Sequence, residues 1–385
     1  MTYYDNTDSD PLLSGSVIES VNAWDQGIEG NEVQFKETVH EYVKLIRFRY
    51  LFILVCAIVI VFVSGYSLSL GAYNISFTET YYYFWNALIG TNFTVQEDIT
   101  KASIIWDLRM PRVATAVFGG AALAVAGVAM QSVLKNPLAD SYTTGVSSGA
   151  GFGATIVMFS GLAMTSYIPV VISAFIFAMI PTLAIIAISK MASASPTTMI
   201  MAGIGVMYIF SASTTVLMLW ADPQSMADIY AWQVGSLANG GVNTQTVPIV
   251  MVCSIAGLIA LWIMAGKINV LATGDESSKA LGIDADKLRI IILLITGLLA
   301  ASIVSFVGIV GFVGLVTPHI VRMFIGADNK YLIPASAIFG GMVMLCADQI
   351  GRVFLTTPLP VGVVMAFIGG PVFLWLILRR HKEVW

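Results

Sequence analysis

The sequence predicts an all-α, polytopic membrane protein with ten transmembrane helices and both termini in the cytoplasm, and three observations carry that prediction. Residues 141–189 contain no Asp, Glu, Lys or Arg, and further uncharged runs occupy 50–78, 113–134, 191–221, 229–266, 290–321 and 353–378. Of the 385 residues, 57% are hydrophobic and only 11% charged, too little polarity to cover a water-soluble surface. Lys and Arg are also spread unevenly over the connecting segments, as retention on the cytoplasmic side requires. A bilayer core needs roughly 20 apolar residues per helix, because an unpaired charge or backbone amide there costs several kcal/mol.

Dividing the runs at Pro, Gly and polar breaks places the spans at 50–72, 112–134, 144–164, 168–189, 199–220, 246–266, 289–308, 311–326, 332–353 and 359–378. The eighth is short and carries Pro318, His319 and Arg322, so the run 290–321 could instead form one long tilted helix. Charge decides between the two. Ten spans with the N-terminus inside put 15 of the 19 Lys and Arg in the cytoplasm and leave Lys101, Arg109, Arg112 and Arg352 outside; merging spans seven and eight gives 11 against 8. The first apolar stretch begins near Tyr50, too deep for a cleaved signal peptide, so a multi-pass protein of the cell membrane is expected.

Residues 1–43 differ in kind from the rest. Nine acidic residues from Asp5 to Glu41 face only Lys36 before the basic cluster at Lys44, Arg47 and Arg49, which predicts a solvated, disordered cytoplasmic tail ahead of a membrane domain at 44–385. Cys56, Cys253 and Cys346 each sit in an apolar stretch and read as small buried hydrophobes, with no disulfide framework or metal cluster suggested.

Within the membrane domain Gly145, Gly149 and Gly153 recur at a spacing of four, which lets a neighbouring helix approach closely along one face. The same stretch, GVSSG at 145–149, matches the G-x-S-x-G of a hydrolase elbow, but that motif needs a preceding strand and an activating His and acid. His40, His319 and His381 are the only histidines, and no G-x-x-x-x-G-K-[ST] string occurs, so the chain is not expected to be an enzyme or to hydrolyse nucleotide itself.

The polar segments are more informative. Residues 267–289 form the longest internal cytoplasmic loop; Thr273 to Glu276 reads as a capping box opening a short helix that ends at Gly282, and Asp284 as a second cap leading into span seven. With Ser277, Ser278 and Lys279 facing water, such a self-capped loop suits contact with a cytoplasmic partner. On the outer side, WDLRMPR at 106–112 brings Arg109 and Arg112 to the mouth of span two, and Arg352 lies at the outer end of span nine. Arginine pairs bidentately with carboxylates, so the three could dock an acidic extracytoplasmic protein; snorkelling to lipid headgroups competes with that reading. Trp85 and Tyr81 to Tyr83 read as interfacial anchors, and 222–241 as a surface helix outside the membrane.

These motifs together resemble a known family. LRMPR at 108–112, GAALAVAGVAMQSVLKNPLAD at 120–140, GVSSGAG at 145–151, SSKALGI at 277–283, GFVGLVTPHIVR at 311–322 and PLPVGVVMAFIGGPVFLWLI at 358–377 closely resemble the FecCD-type permease subunits of iron-siderophore, haem and cobalamin ABC importers. The resemblance covers about residues 45–380. It implies a type II ABC importer permease fold that dimerises, most simply as a homodimer, with the translocation path between the copies, two cytoplasmic ATPase subunits below and a substrate-binding protein outside. By the same resemblance, Arg109, Arg112 and Arg352 match positions that receive acidic residues of the binding protein. Asn136, Leu138, Pro196 and Thr197 match the cytoplasmic gate, with Pro196 standing where the cobalamin permease has a hydroxyl residue. Thr273, Gly274, Glu276, Ser277, Ser278, Ala280, Leu281 and Gly282 match the segment that contacts the ATPase. Spans five and ten line the path in the family, and here span five offers Ser211, Ser213, Thr214 and Thr215, although such hydroxyls also bond back to their own helix.

The expected function is therefore passage of a metal chelate, an iron-siderophore first and haem, cobalamin or molybdate as alternatives, with no cofactor held by this chain and with ATP and Mg2+ used by the partner ATPase. Nucleic acid is not an expected partner. An ion-coupled secondary transporter would need intramembrane carboxylates, which the uncharged runs lack. An intramembrane enzyme would need a Ser/His or metal constellation.

Overall fold

The computed structural model describes residues 15–71, 73–90, 93–164, 166–192, 195–353 and 358–380. Among them there is no strand, and fifteen α-helices follow one another: α1 (Gly15–Ser69), α2 (Phe77–Ile89), α3 (Gln96–Ser103), α4 (Met110–Val133), α5 (Val146–Phe159), α6 (Ile168–Ala192), α7 (Pro196–Leu219), α8 (Pro223–Gln233), α9 (Val247–Ile263), α10 (Ala265–Thr273), α11 (Asp275–Ala280), α12 (Ala285–Val307), α13 (Val313–Ile325), α14 (Asn329–Val353) and α15 (Val361–Arg380). The chain divides into two compact units, residues 1–51 and 52–385. In the first, the stretch expected as a disordered tail has a helical backbone from Gly15 onward. No proline lies between Pro11 and Pro111 to interrupt it. Residues 1–14 of the expected tail lie outside the described residues.

Among the described residues six helices are long and apolar enough to cross a membrane: Val43–Ser69, Gln96–Val133, Ile168–Met191, Pro196–Leu219, Ala285–Val307 and Asn329–Val353. A seventh arises if α9 and α10, bent by 56° at their junction, count as one span. Val146–Phe159, Val313–Ile325 and Val361–Leu376 are apolar but shorter. Each expected span meets one of these helices, and the third, eighth and tenth fall on the short ones. The run 290–321 is not one tilted helix: Gly308 (φ 84°) and Phe312 (φ 66°) adopt the left-handed conformation and end α12 before α13 begins.

Small residues set the packing. Helix α4 is buried along most of its length, with Gly119, Gly120, Ala122, Ala124, Ala126 and Ala129 letting its neighbours come close. The glycine stripe read from the sequence works in the same way on α5. A Cβ at Gly149 would meet the Phe177 carbonyl and one at Gly153 would lie 2.5 Å from the Ser173 carbonyl, so α5 and α6 touch backbone to backbone. Ser173 Oγ adds a hydrogen bond to the Gly153 carbonyl at 2.7 Å. Gly145 is the N-cap of α5 and not part of its face. On the other side of α6, Ile168, Ile172, Ile176 and Ile180 form an exposed row at a spacing of four, a surface suited to lipid tails.

The outer elements differ in detail from the sequence reading. Between α1 and α4 the chain builds α2 and α3, and Ser76 with Glu79 forms a capping box at the start of α2. The segment expected as a surface helix at 222–241 is helical over Pro223–Gln233, capped by the Asp222 side chain, which accepts from Gln224 N and Ser225 N.

Candidate transport machinery at the two ends of the bundle

Helix α4 has 24 residues and therefore separates its two ends by about 36 Å. Its start carries the arginine cluster and its end the segment expected to gate the path.

At the start, a π-helical turn over Ile104–Arg109 leads directly into α4 and turns Arg109 inward. Arg109 is only 5% exposed and donates to the carbonyls of Leu68 (2.8 Å), Ser69 (2.9 Å) and Tyr73 (2.6 Å). Those carbonyls close the C-terminal end of α1, where a cation is favoured by both hydrogen bonding and the helix dipole. Arg112 donates from Nε to both oxygens of Asp348 at 3.0 Å and from Nη2 to Oδ1 at 2.8 Å. Arg352 lies 3.1 Å from the other oxygen of Asp348 and donates to Ser67 Oγ (2.7 Å) and the Leu70 carbonyl (3.4 Å). The three arginines lie in one corner, Arg112 and Arg352 sharing the buried Asp348 carboxylate and Arg109 held by the carbonyls at the end of α1, and most of their donors are used within the chain.

At the other end, α4 stops at Val133 and the chain turns through Lys135, a non-glycine residue at φ 49°. Asn136 folds its side chain over its own loop, accepting from Leu138 N at 2.9 Å, while Leu138 stands 42% exposed. Helix α7 begins with Pro196 at its first position, where a missing N–H costs nothing, and Ser195 accepts from Thr198 N as its cap. The hydroxyl missing at Pro196 is thus present one residue earlier, in a capping role. Thr197 is exposed. The two segments expected to gate the path are joined by a small apolar cluster of Met130, Leu134, Ala139, Ile185, Met199 and Leu293, which includes residues flanking both.

Asp140 closes this loop. Its Oδ1 accepts from Tyr142 N (3.0 Å) and Thr143 N (2.9 Å). Burial pushes its carboxyl up to about 6, against the two amides that favour the charged form. An acid raised in this way contributes stability that is complete below its unfolded value and lost as pH rises through about 6. The unfolding midpoint should therefore fall between about pH 4 and pH 6 in the native protein, and less in Asp140→Asn, whose amide oxygen still accepts both N–H groups. Identical midpoint-against-pH curves would contradict this assignment.

The segment expected to contact an ATPase is a pair of short helices. After the 56° bend α10 runs to Thr273, Gly274 takes φ 144°, and α11 covers Asp275–Ala280. The expected capping box does not form: Thr273 Oγ1 donates back to the Val270 carbonyl, and Gly274 precedes α11 without a side-chain cap. Ser278, expected in water, is fully buried and donates to the carbonyls of Gly274 (2.7 Å) and Val270 (3.3 Å), stapling α11 onto α10. Glu276, Ser277, Ala280 and Gly282 are exposed, and Leu281 presents an apolar tip 67% exposed. Asp284 caps α12 through Lys287 N, as the sequence suggests.

On α7 the candidate wall splits. Ser211 and Thr215 lie on an exposed face; Thr214 is buried, and the hydroxyls of Ser213, Thr214 and Thr215 donate to Ile209, Phe210 and Ser211 carbonyls of their own helix. A groove of about 730 Å3 between α6, α9 and α12 contains none of these residues.

Residues 56–379 match the model of the FecCD transport family. The chain belongs to that family. It is 35% identical over 286 residues to the haemin transport system permease protein of Yersinia pestis, covering 72% of this chain and 84% of that one. Identity is also 35% over 286 residues to the cobalamin import system permease protein of Halobacterium salinarum, with 74% and 75% covered. Among solved structures, an inward-facing transporter described as of the metal-chelate ABC type superposes with a TM-score of 0.74 at 27% identity, covering 85% of this chain and 98% of that one. As a FecCD permease the chain is a transport component and not an enzyme. The resemblance points to Arg109, Arg112, Arg352, Asn136 and Leu138, but it gives no signal for Asp348 or Asp275 as partners of Arg112 and Lys135, which lie 236 and 140 positions away in sequence.

Proposed function

We propose that this FecCD permease forms the translocation path of an ABC importer for a metal chelate, delivered by an extracytoplasmic binding protein and driven by two partner ATPase subunits that use ATP and Mg2+. The observation that carries the reading is the α10–α11 pair, a membrane helix bent out of line and ending in exposed Leu281, set against the gate loop. Such an element can receive a push without doing chemistry. Ser211 and Thr215 sit on an open face of α7, so a second copy of the chain is the simplest way to close a path around them. A ferric siderophore is the first choice of cargo; haem, cobalamin and molybdate are the other candidates. ATP-dependent uptake by the chain reconstituted with its ATPase and loaded binding protein tests the reading. Ion-gradient-driven uptake without the ATPase would reject it.

Docking of the binding protein is assigned to the arginine corner. Three guanidinium groups against one carboxylate leave the corner positive, which steers an acidic partner even though Arg109 is engaged internally. Arg112→Gln should slow binding-protein association several-fold at low salt, an effect that fades as salt rises. An unchanged association rate would move docking elsewhere.

A further inference from the structure

Two polar links tie the end of α4 to the coupling helices. In the first, Ser132 Oγ donates to Asn329 Oδ1 at 3.2 Å, and Asn329 donates from its backbone N (2.9 Å) and Nδ2 (2.8 Å) to Asn269 Oδ1 on α10. Asn329 is 1% exposed, so this link is a fixed joint. In the second, a single oxygen of Asp275, the first residue of α11, takes both Arg289 Nη2 and, at 3.2 Å, Lys135 Nζ. Arg289 is fully buried in α12, whereas the Lys135 and Asp275 side chains are 35% and 44% exposed. One carboxylate therefore holds a buried anchor on one side and a releasable arm on the other. Its carboxyl is kept below the usual range first by Arg289 and further by Lys135.

We propose that Lys135 is a positioning residue that transmits movement of the coupling helix to the gate loop, through its pair with Asp275. The inference rests on the proposed coupling role of α11. Lys135 stands at the left-handed position that ends α4, where the Asn136 N–H donates back to the Gln131 carbonyl at 3.2 Å, so its backbone is fixed to α4 while its side chain reaches across to α11. The Asp275 carboxylate cannot shift with α11 without drawing the lysine or releasing it. Exposed pairs contribute little to stability, so the link's contribution is to coordination between the segments.

The test uses the full complex in proteoliposomes, with transport and ATP hydrolysis measured together. Lys135→Asn removes the charge with a residue that tolerates the left-handed backbone. It should lower substrate moved per ATP hydrolysed by roughly 5-fold or more, with the unfolding midpoint unchanged, and Lys135→Arg should restore most of the ratio. A wild-type ratio in Lys135→Asn, a complex that no longer assembles, or no rescue by Lys135→Arg would each overturn the proposal. Failure of the unmodified complex to transport would instead count against the importer reading.

Discussion

Asp348→Ala is expected to leave little correctly folded protein. The carboxylate is fully buried on α14 and is the shared partner of Arg112 on α4 and Arg352 one turn along its own helix. Removing it strands two guanidinium groups, side chains 17% and 10% exposed, beside each other with no counter-charge. Breaking a buried ion pair from one side costs about 3–5 kcal/mol, a large share of the stability of a typical fold. Asp348→Asn keeps acceptor geometry on one oxygen and should be milder. The yield of monodisperse protein in detergent and the shift of the unfolding midpoint measure both. An Asp348→Ala protein with a native midpoint would mean that the cluster is not a fastening. The same reasoning makes Arg112→Glu a poor probe of docking, since it would set two carboxylates against each other within the fold.

The second large effect is expected at Gly153. Its missing Cβ leaves room for the Ser173 carbonyl at 2.5 Å, and a backbone carbonyl inside α6 cannot rotate away as a side chain could. Gly153→Ala should force α5 and α6 apart and destabilise by about 1–3 kcal/mol, and Gly153→Leu by more. Gly205 on α7 is the matched control, because nothing lies within 4 Å of its Cβ position. There the alanine should be neutral or favourable, by up to about 1 kcal/mol from helix propensity. Equal midpoint shifts for Gly153→Ala and Gly205→Ala would contradict the close-packing account.

Helix–helix packing was legible in the sequence wherever a periodic pattern reports it directly. The Gly149 and Gly153 spacing exposes the α5–α6 contact because a face of missing side chains has few other uses in a membrane. Local capping was legible only in part. Ser76 to Glu79 and Thr273 to Glu276 fit the same four-residue pattern, yet only the first forms a box. The difference is Gly274, whose φ of 144° ends α10 and restarts the chain as α11.

Long-range pairing was not legible. Arg112 and Asp348 are 236 positions apart, and Lys135 and Asp275 are 140 apart. A single charged residue in an apolar stretch does not indicate which distant residue the fold brings to it. The arginines could therefore be recognised as a group before their inward orientation could be seen. The bend between α9 and α10 was hidden for a related reason, since composition stays apolar through Met264 and the turn follows from what each half packs against.

The fastening of α1 has a consequence for how the protein is made. Arg109, 41 positions after Leu68, can secure the end of the first span soon after that segment leaves the ribosome. Arg352 reaches Ser67 only 285 positions later. A chain cut short before α14 would therefore hold the end of its first helix by Arg109 alone, without the second clasp. Quality-control proteases should find such truncated products more readily than the finished permease.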